Sequence, residues 1–300
     1  MTHLKETVLA GQIKKLSVVH KKKRIFQPEH VFIYAAGSII FFLIICAVFP
    51  QWVAPFAPTK MFTDAIMQAP SVSHILGTDY FGRDVFSLIV FGSRTSLIIG
   101  FLSVITAAVI GMLIGSVAGY AGGIIDLIFM RVIDILMTIP GMLLSLAFAA
   151  ALGPSLMNII LAISISALPG YARLMRGQIL TLKNRNFVIA SKSIGVSNFV
   201  IFFRHILPNA YSPLLVMATN GLGSSILLGA GLSFLGLGVV QEVPDWGTLL
   251  SQGRGYLAAA WWIATFPGIA ITSFVLSANI IGDSLRDFLD PKKKQKGENA

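Results

Sequence analysis

Charge is scarce in this chain and cysteine almost absent. Asp, Glu, Lys and Arg make up 12% of the 300 residues, about half of the roughly 25% found in ordinary globular proteins. A soluble fold of this size cannot cover its surface with so few charges. A single cysteine, Cys46, excludes a disulfide-built scaffold. Apolar and polar residues do not alternate over about ten positions, which excludes a transmembrane β-barrel. Disorder is excluded by the opposite excess, since 55% of the residues are hydrophobic. What is present is long apolar runs, and they imply an all-α, polytopic membrane protein.

A hydrocarbon core of about 30 Å needs about 20 apolar residues per crossing. Six stretches meet that length: 31–50, 97–119, 124–151, 156–179, 213–237 and 259–281. The fourth is the least regular, because Pro169, Arg173 and Arg176 interrupt it. With the N-terminus inside, 19 of the 23 basic residues fall on the cytoplasmic side; Lys60, Arg83, Arg94 and Arg254 fall outside. The positive-inside rule therefore places both termini in the cytoplasm of a cell bounded by this inner membrane. One domain is expected over 31–290, with basic tails at 1–30 and 291–300, an external segment at 51–94 and a cytoplasmic loop at 181–208. No A-x-A site follows the first apolar run, so it reads as a helix and not a cleaved leader. The net charge of +10 sits largely in tails without interleaved aromatic residues. Such tails have no platform for stacking nucleic-acid bases. They suit anionic membrane lipid instead, at about 1 kcal/mol per basic residue.

Catalytic signatures are missing. There is no phosphate-cradling G-x-x-x-x-G-K-[ST] and no G-x-S-x-G elbow. No two of the five histidines stand at metal-ligand spacing. This chain is read as a non-enzyme that itself holds no metal or cofactor. Arg131 and Asp134, three apart near the start of the third span, are expected to pair with each other. Gly111, Gly115 and Gly119 form an i, i+4, i+8 stripe, which lets a neighbouring helix come close.

Four stretches carry a family resemblance. They are Gly77-Thr78-Asp79-Tyr80-Phe81-Gly82-Arg83-Asp84; Pro169-Gly170-Tyr171-Ala172-Arg173; Arg204-His205-Ile206-Leu207-Pro208-Asn209; and Leu232-Ser233-Phe234-Leu235-Gly236-Leu237-Gly238 followed by Pro244-Asp245-Trp246-Gly247. In this order they resemble the C-type permease subunit of bacterial ATP-driven importers for dipeptides, oligopeptides and nickel. The resemblance implies the type I ABC importer permease fold and the role of half a translocation pathway. It also implies a second homologous permease, an external substrate-binding protein, and two cytoplasmic ATPases that carry ATP and Mg. Peptide is the expected cargo. Nickel or another small solute is the alternative, and an autonomous secondary transporter is the rival of another class.

Permeases of this type dock on their ATPases through an E-A-A-x-x-x-G loop. The matching positions here are Ile189, Ala190, Ser191 and Gly195, with Ile189 in place of the acidic residue. From the residues alone, 186–194 reads as a short helix that Gly195 caps in the left-handed conformation. Ser197 then caps a second helix that Pro208 stops. The expected product is a knob with Ser191, Lys192 and Ser193 on a polar face and Val188, Ile189 and Phe199 on an apolar one.

The charge split sets the first test. With Cys46 removed, Lys60→Cys is expected to react with a membrane-impermeant thiol reagent applied outside the membrane, and Lys183→Cys is not. The reverse pattern would overturn the orientation.

Overall fold

The computed structural model describes residues 28–289; the two basic tails lie outside the described residues. The helices are α1 (Pro28–Val48), α2 (Pro50–Val53), α3 (Val85–Ala121), α4 (Gly123–Thr138), α5 (Gly141–Leu152), α6 (Leu156–Lys183), α7 (Asn186–Ser193), α8 (Asn198–Val200), α9 (Leu207–Leu232), α10 (Trp246–Arg254) and α11 (Trp262–Leu289). No strand occurs among the described residues. Five helical stretches among the described residues are long and apolar enough to cross a membrane, and the bent pair α4–α5 brings the number to six if it is counted as one span.

α3 and α6 run side by side in the same direction and form the centre of the bundle. The glycine stripe makes this contact possible. A Cβ on Gly111 would lie 2.6 Å from Cβ of Tyr171, one on Gly119 would lie 3.0 Å from Cβ of Ile179, and one on Gly115 would collide with the Ala172 carbonyl. Without those atoms the backbones close up. Ser164 Oγ then donates across the seam to Ser103 O at 3.1 Å. α9 packs against both α3 and α6, α11 packs on α9, and α1 leans on α3 and α11. The largest apolar core, containing Leu88, Trp246, Trp262 and Phe274, lies toward the end that carries residues 49–84. A second core, of Met175, Ile179, Val188, Ile201 and Ile206, lies at the opposite end.

Helix boundaries differ from the sequence expectation in four places, each with a local cause. α3 begins at Val85, not 97, because Asp84 caps it by accepting from Ser87 N at 2.9 Å; the segment ahead of it therefore ends at 84 and not 94. The third span is not continuous: α4 and α5 meet at 94°. Pro140 supplies no amide donor and holds Ile139 in an extended conformation (ψ 128°). Pro169 lies inside α6 without breaking it, and α6 runs on to Lys183. Pro208 does not stop the helix that Ser197 caps. A π-helical turn, Ile201–Ile206, joins α8 to α9, and Pro208 follows it in the first turn of α9. There its missing amide costs little.

The expected Arg131–Asp134 pair is also corrected. Asp134 Oδ1 accepts instead from Arg173 Nη2 at 2.6 Å, and Asp126 takes a two-pronged contact from Arg176 at 2.5 and 2.6 Å. Asp126 and Asp134 lie eight residues apart on one stripe of α4 facing α6. A guanidinium fork from a packed neighbour outcompetes a same-helix pair, which contributes only about 0.2–0.5 kcal/mol.

Gly115→Leu is expected to destabilise the chain in detergent by about 1–3 kcal/mol through overpacking. Gly177→Leu, where an added Cβ meets nothing within 4 Å, is the control. Equal thermal midpoints for Gly115→Leu and the unmodified chain would contradict the close α3–α6 contact.

Candidate functional site

The chain has two built-up ends. The first is the segment before α3, where the G-T-D-Y-F-G-R-D stretch closes into a buried knot. Asp79 Oδ1 accepts from the amides of Phe81 and Arg83, both at 2.8 Å. Its other oxygen accepts from Arg83 Nε and Nη2, both at 2.7 Å. Thr78 donates its hydroxyl to Ala65 O and accepts from Gln68 N, and Trp262 Nε1 at the start of α11 donates to Thr78 O at 3.0 Å. Asp84 caps α3, takes the Ser87 hydroxyl at 2.7 Å and meets His74 Nδ1 at 3.0 Å. Gly77 and Gly82 sit at φ +78° and +76°. A side chain on Gly77 would meet Gln68 O at 2.6 Å, and one on Gly82 would run into Phe62 O. Tyr80 stacks on Tyr256 with ring centroids 4.9 Å apart, and its burial raises the phenol pKa against the opposing pull of Arg83.

The polar atoms of this signature point inward, so the knot is a fastener that joins the 49–84 segment to α3 and α11. The fourth motif is a second fastener at the same end. Asp245 caps α10 by accepting from Thr248 N at 2.7 Å and takes the Ser233 hydroxyl at 2.6 Å. Trp246 donates its backbone amide to Ser96 Oγ at 3.0 Å and its indole N–H to Ile89 O at 2.9 Å. Sequence reasoning missed His74, Ser96 and Trp262. Their partners are 10, 150 and 184 residues away, and nothing local signals such pairings.

The second end is a knob, residues 184–200. Gly195 has φ +81°. Its amide reaches Lys192 O at 3.0 Å and the next amide, of Val196, reaches Ser191 O at 3.1 Å. That pair of bonds is a Schellman closure of α7. Ser197 caps α8 through Val200 N. Val188 is fully buried against Met175, Ile179, Ile201 and Ile206 with Leu207 beside it, so it anchors the knob and does not belong to an exposed apolar face. What the knob displays is Ile189, 54% exposed, Phe199, 70%, and Ile194, 81%. Ala190 and Pro208 are exposed and Ser191 is half-buried. Two contacts fix the knob region to the end of α3: Tyr120 Oη donates to Asn198 O at 2.9 Å, and Lys183 Nζ donates to Gly119 O at 3.1 Å. A groove of about 310 Å³ between α3 and the π turn, lined by Met112, Val117, Phe202 and Phe203 among others, lies beside it.

Among the described residues, no three His, Cys, Asp or Glu side chains come together as a metal site. The chemistry on display is mechanical: a fastened end, a close-packed shaft and a solvent-facing apolar knob. Residues 111–295 match the family described as the binding-protein-dependent transport system inner membrane component. The chain belongs to this family. The permease is 42% identical to the di/tripeptide transport system permease protein DppC of Pseudomonas aeruginosa, over 87% of this chain and 88% of that one. It is 46% identical to the dipeptide transport system permease protein DppC of Alkalihalophilus pseudofirmus, over 76% and 75%. It is 41% identical to the glutathione transport system permease protein GsiD of Pectobacterium atrosepticum, over 90% of each. The crystal structure of an amino acid ABC transporter with histidines shares the fold. Its TM-score is 0.52 at 15% identity, covering 68% of this permease and 94% of that chain. The permease is thus a multi-pass inner-membrane component of a transport system, in a family of transport subunits and not of catalysts.

Asp79→Ala strands a buried Arg83, and breaking one partner of such a pair costs about 3–5 kcal/mol. The purified permease is expected to lose that much stability, and Asp79→Ala with Arg83→Met is expected to recover most of it. No loss from Asp79→Ala would show that the knot does not hold this end together.

Proposed function

We propose that this permease is one of two homologous membrane subunits of an ATP-driven importer that carries peptides into the cytoplasm. The observation that carries the reading is the knob: a short, capped helix, anchored by Val188 and presenting Ile189, Ile194 and Phe199 to solvent, on a chain of this transport family. An exposed apolar patch on a polar loop needs a protein partner, and two cytoplasmic ATPases that bind ATP and Mg suit it. Peptide cargo is supported by relatives named for di/tripeptide, dipeptide and glutathione transport. The 19-to-4 charge split supports a cytoplasmic knob and an external knot, where the binding protein delivers cargo. The knob is tied to α3 by the Tyr120–Asn198 contact, and α3 is locked to α6 by Lys183 and the glycine stripe. ATPase closure therefore moves α3 and α6 as one shaft and switches the cavity between the two permeases from inward to outward access. Ile189 makes the contact apolar where an ionic one is usual.

Gly195→Val puts a β-branched residue at φ +81°, a strain of about 1–3 kcal/mol. The variant is expected to reach the membrane at normal levels, to lose ATPase subunits on purification and to abolish peptide-stimulated ATP hydrolysis. Full uptake of dialanine by the Gly195→Val importer would refute the coupling role.

A further inference from the structure

The charged stripe that α4 turns toward α6 borders open space. Asp126, Met130 and Asp134 lie along one stripe and, with Arg131 and Arg176, line an open cavity of about 290 Å³. The Asp134 and Arg173 side chains are paired, yet 54% and 51% exposed. Their depth matters. α6 has 28 residues, about 42 Å, so it exceeds a hydrocarbon core of about 30 Å by about 12 Å. Arg173 stands ten residues before Lys183, the last residue of α6, which is about 15 Å from that end. With the excess shared equally between its two ends, Arg173 lies about 9 Å inside the core, with its partner Asp134 beside it. An aspartate side chain is too short to reach the interface, and lipid cannot solvate a half-exposed ion pair.

Water or a dry protein interface remains. Four charged groups line this cavity, Asp126, Asp134, Arg131 and Arg176; with Arg173, which pairs with Asp134, and Lys183, which acts on Asp126 from nearby, the six sum to two surplus cations. Arg131 is exposed and has no ion pair among the described residues. A dry interface would strip water from half-exposed charges and leave that cation unpaired, which is unfavourable. We propose that this strip of α4 and α6 is one wall of a water-filled passage through the membrane, and that Arg173 is where a cargo with a free carboxylate touches this chain. The proposal rests on the importer reading and adds the wall and the contact to it. The surplus positive charge draws the carboxylate in, and the Asp134 partner keeps the guanidinium from holding it.

The test uses the assembled importer with Cys46→Ala as background. Met130→Cys lies on the strip; Ile128→Cys lies on the opposite, exposed side of α4. Met130→Cys is expected to react with a charged, membrane-impermeant thiol reagent at least about tenfold faster than Ile128→Cys, because the thiolate forms only in water. Equal or reversed rates would overturn the water-filled wall. Arg173→Gln is expected to lower dialanine uptake about tenfold at unchanged membrane level, the loss of one charge-assisted contact, and Arg173→Lys to keep most of it. Undiminished uptake by Arg173→Gln would overturn the cargo contact. If the unmodified importer does not take up dialanine at all, the peptide reading fails, while the labelling rates still decide whether the wall is wet.

Discussion

Three missing side chains hold this molecule together. Inside a membrane, apolar side chains do not drive helices together, since lipid is as apolar as they are. Close backbone contact and hydrogen bonds must do that instead. Gly111, Gly115 and Gly119 leave out three Cβ atoms, one per turn, that would hold α3 off α6. The Ser103–Ser164 contact then fixes the two helices in register. With that seam closed, α9 has a rigid surface to pack against, and the two apolar cores can form at opposite ends.

Each end uses the shaft differently. At one, buried carboxylates act as internal clips: Asp79 holds Arg83, Asp84 caps α3 and Asp245 caps α10. These charges are satisfied inside the protein and leave little for a ligand. At the other, backbone closure around Gly195 holds a knob that leaves Ile189, Ile194 and Phe199 exposed. The proposed importer role would use that asymmetry: one end held in one piece and the other presenting a surface to a partner.

The seam was readable from the fourfold spacing of its glycines, and five of the spans from run length; the third, at 124–151, is bent by 94°. The left-handed cap at Gly195 was readable because glycine after a short helix has one common use. The knot was visible as a motif and not as a structure, because His74, Thr78 and Asp84 find their partners through tertiary contact. The ion pairs were misassigned for a related reason. A reading along one helix sees Arg131 beside Asp134, whereas Arg173 and Arg176 arrive from another helix 39 and 50 residues on. The π turn before Pro208 had no readable sign, since it depends on Ile201 and Ile206 both burying against α6 and α7. The family match explains why the motifs occur together; their geometry explains what each one holds.

The central claim is that α3 and α6 move as one body when the knob is driven. A Cβ at Gly119 lies 3.0 Å from that of Ile179, close to the roughly 3.5–4.5 Å of a disulfide. Oxidising Gly119→Cys with Ile179→Cys, in a chain without Cys46, should therefore cross-link the two helices once the seam there opens by at least about 0.5 Å. The direct measurement is ATP-driven uptake by the cross-linked importer before and after reduction. A rigid shaft predicts equal uptake in both states. Uptake that is blocked by the cross-link and restored by reductant would show that α3 and α6 slide past each other, and would contradict the account.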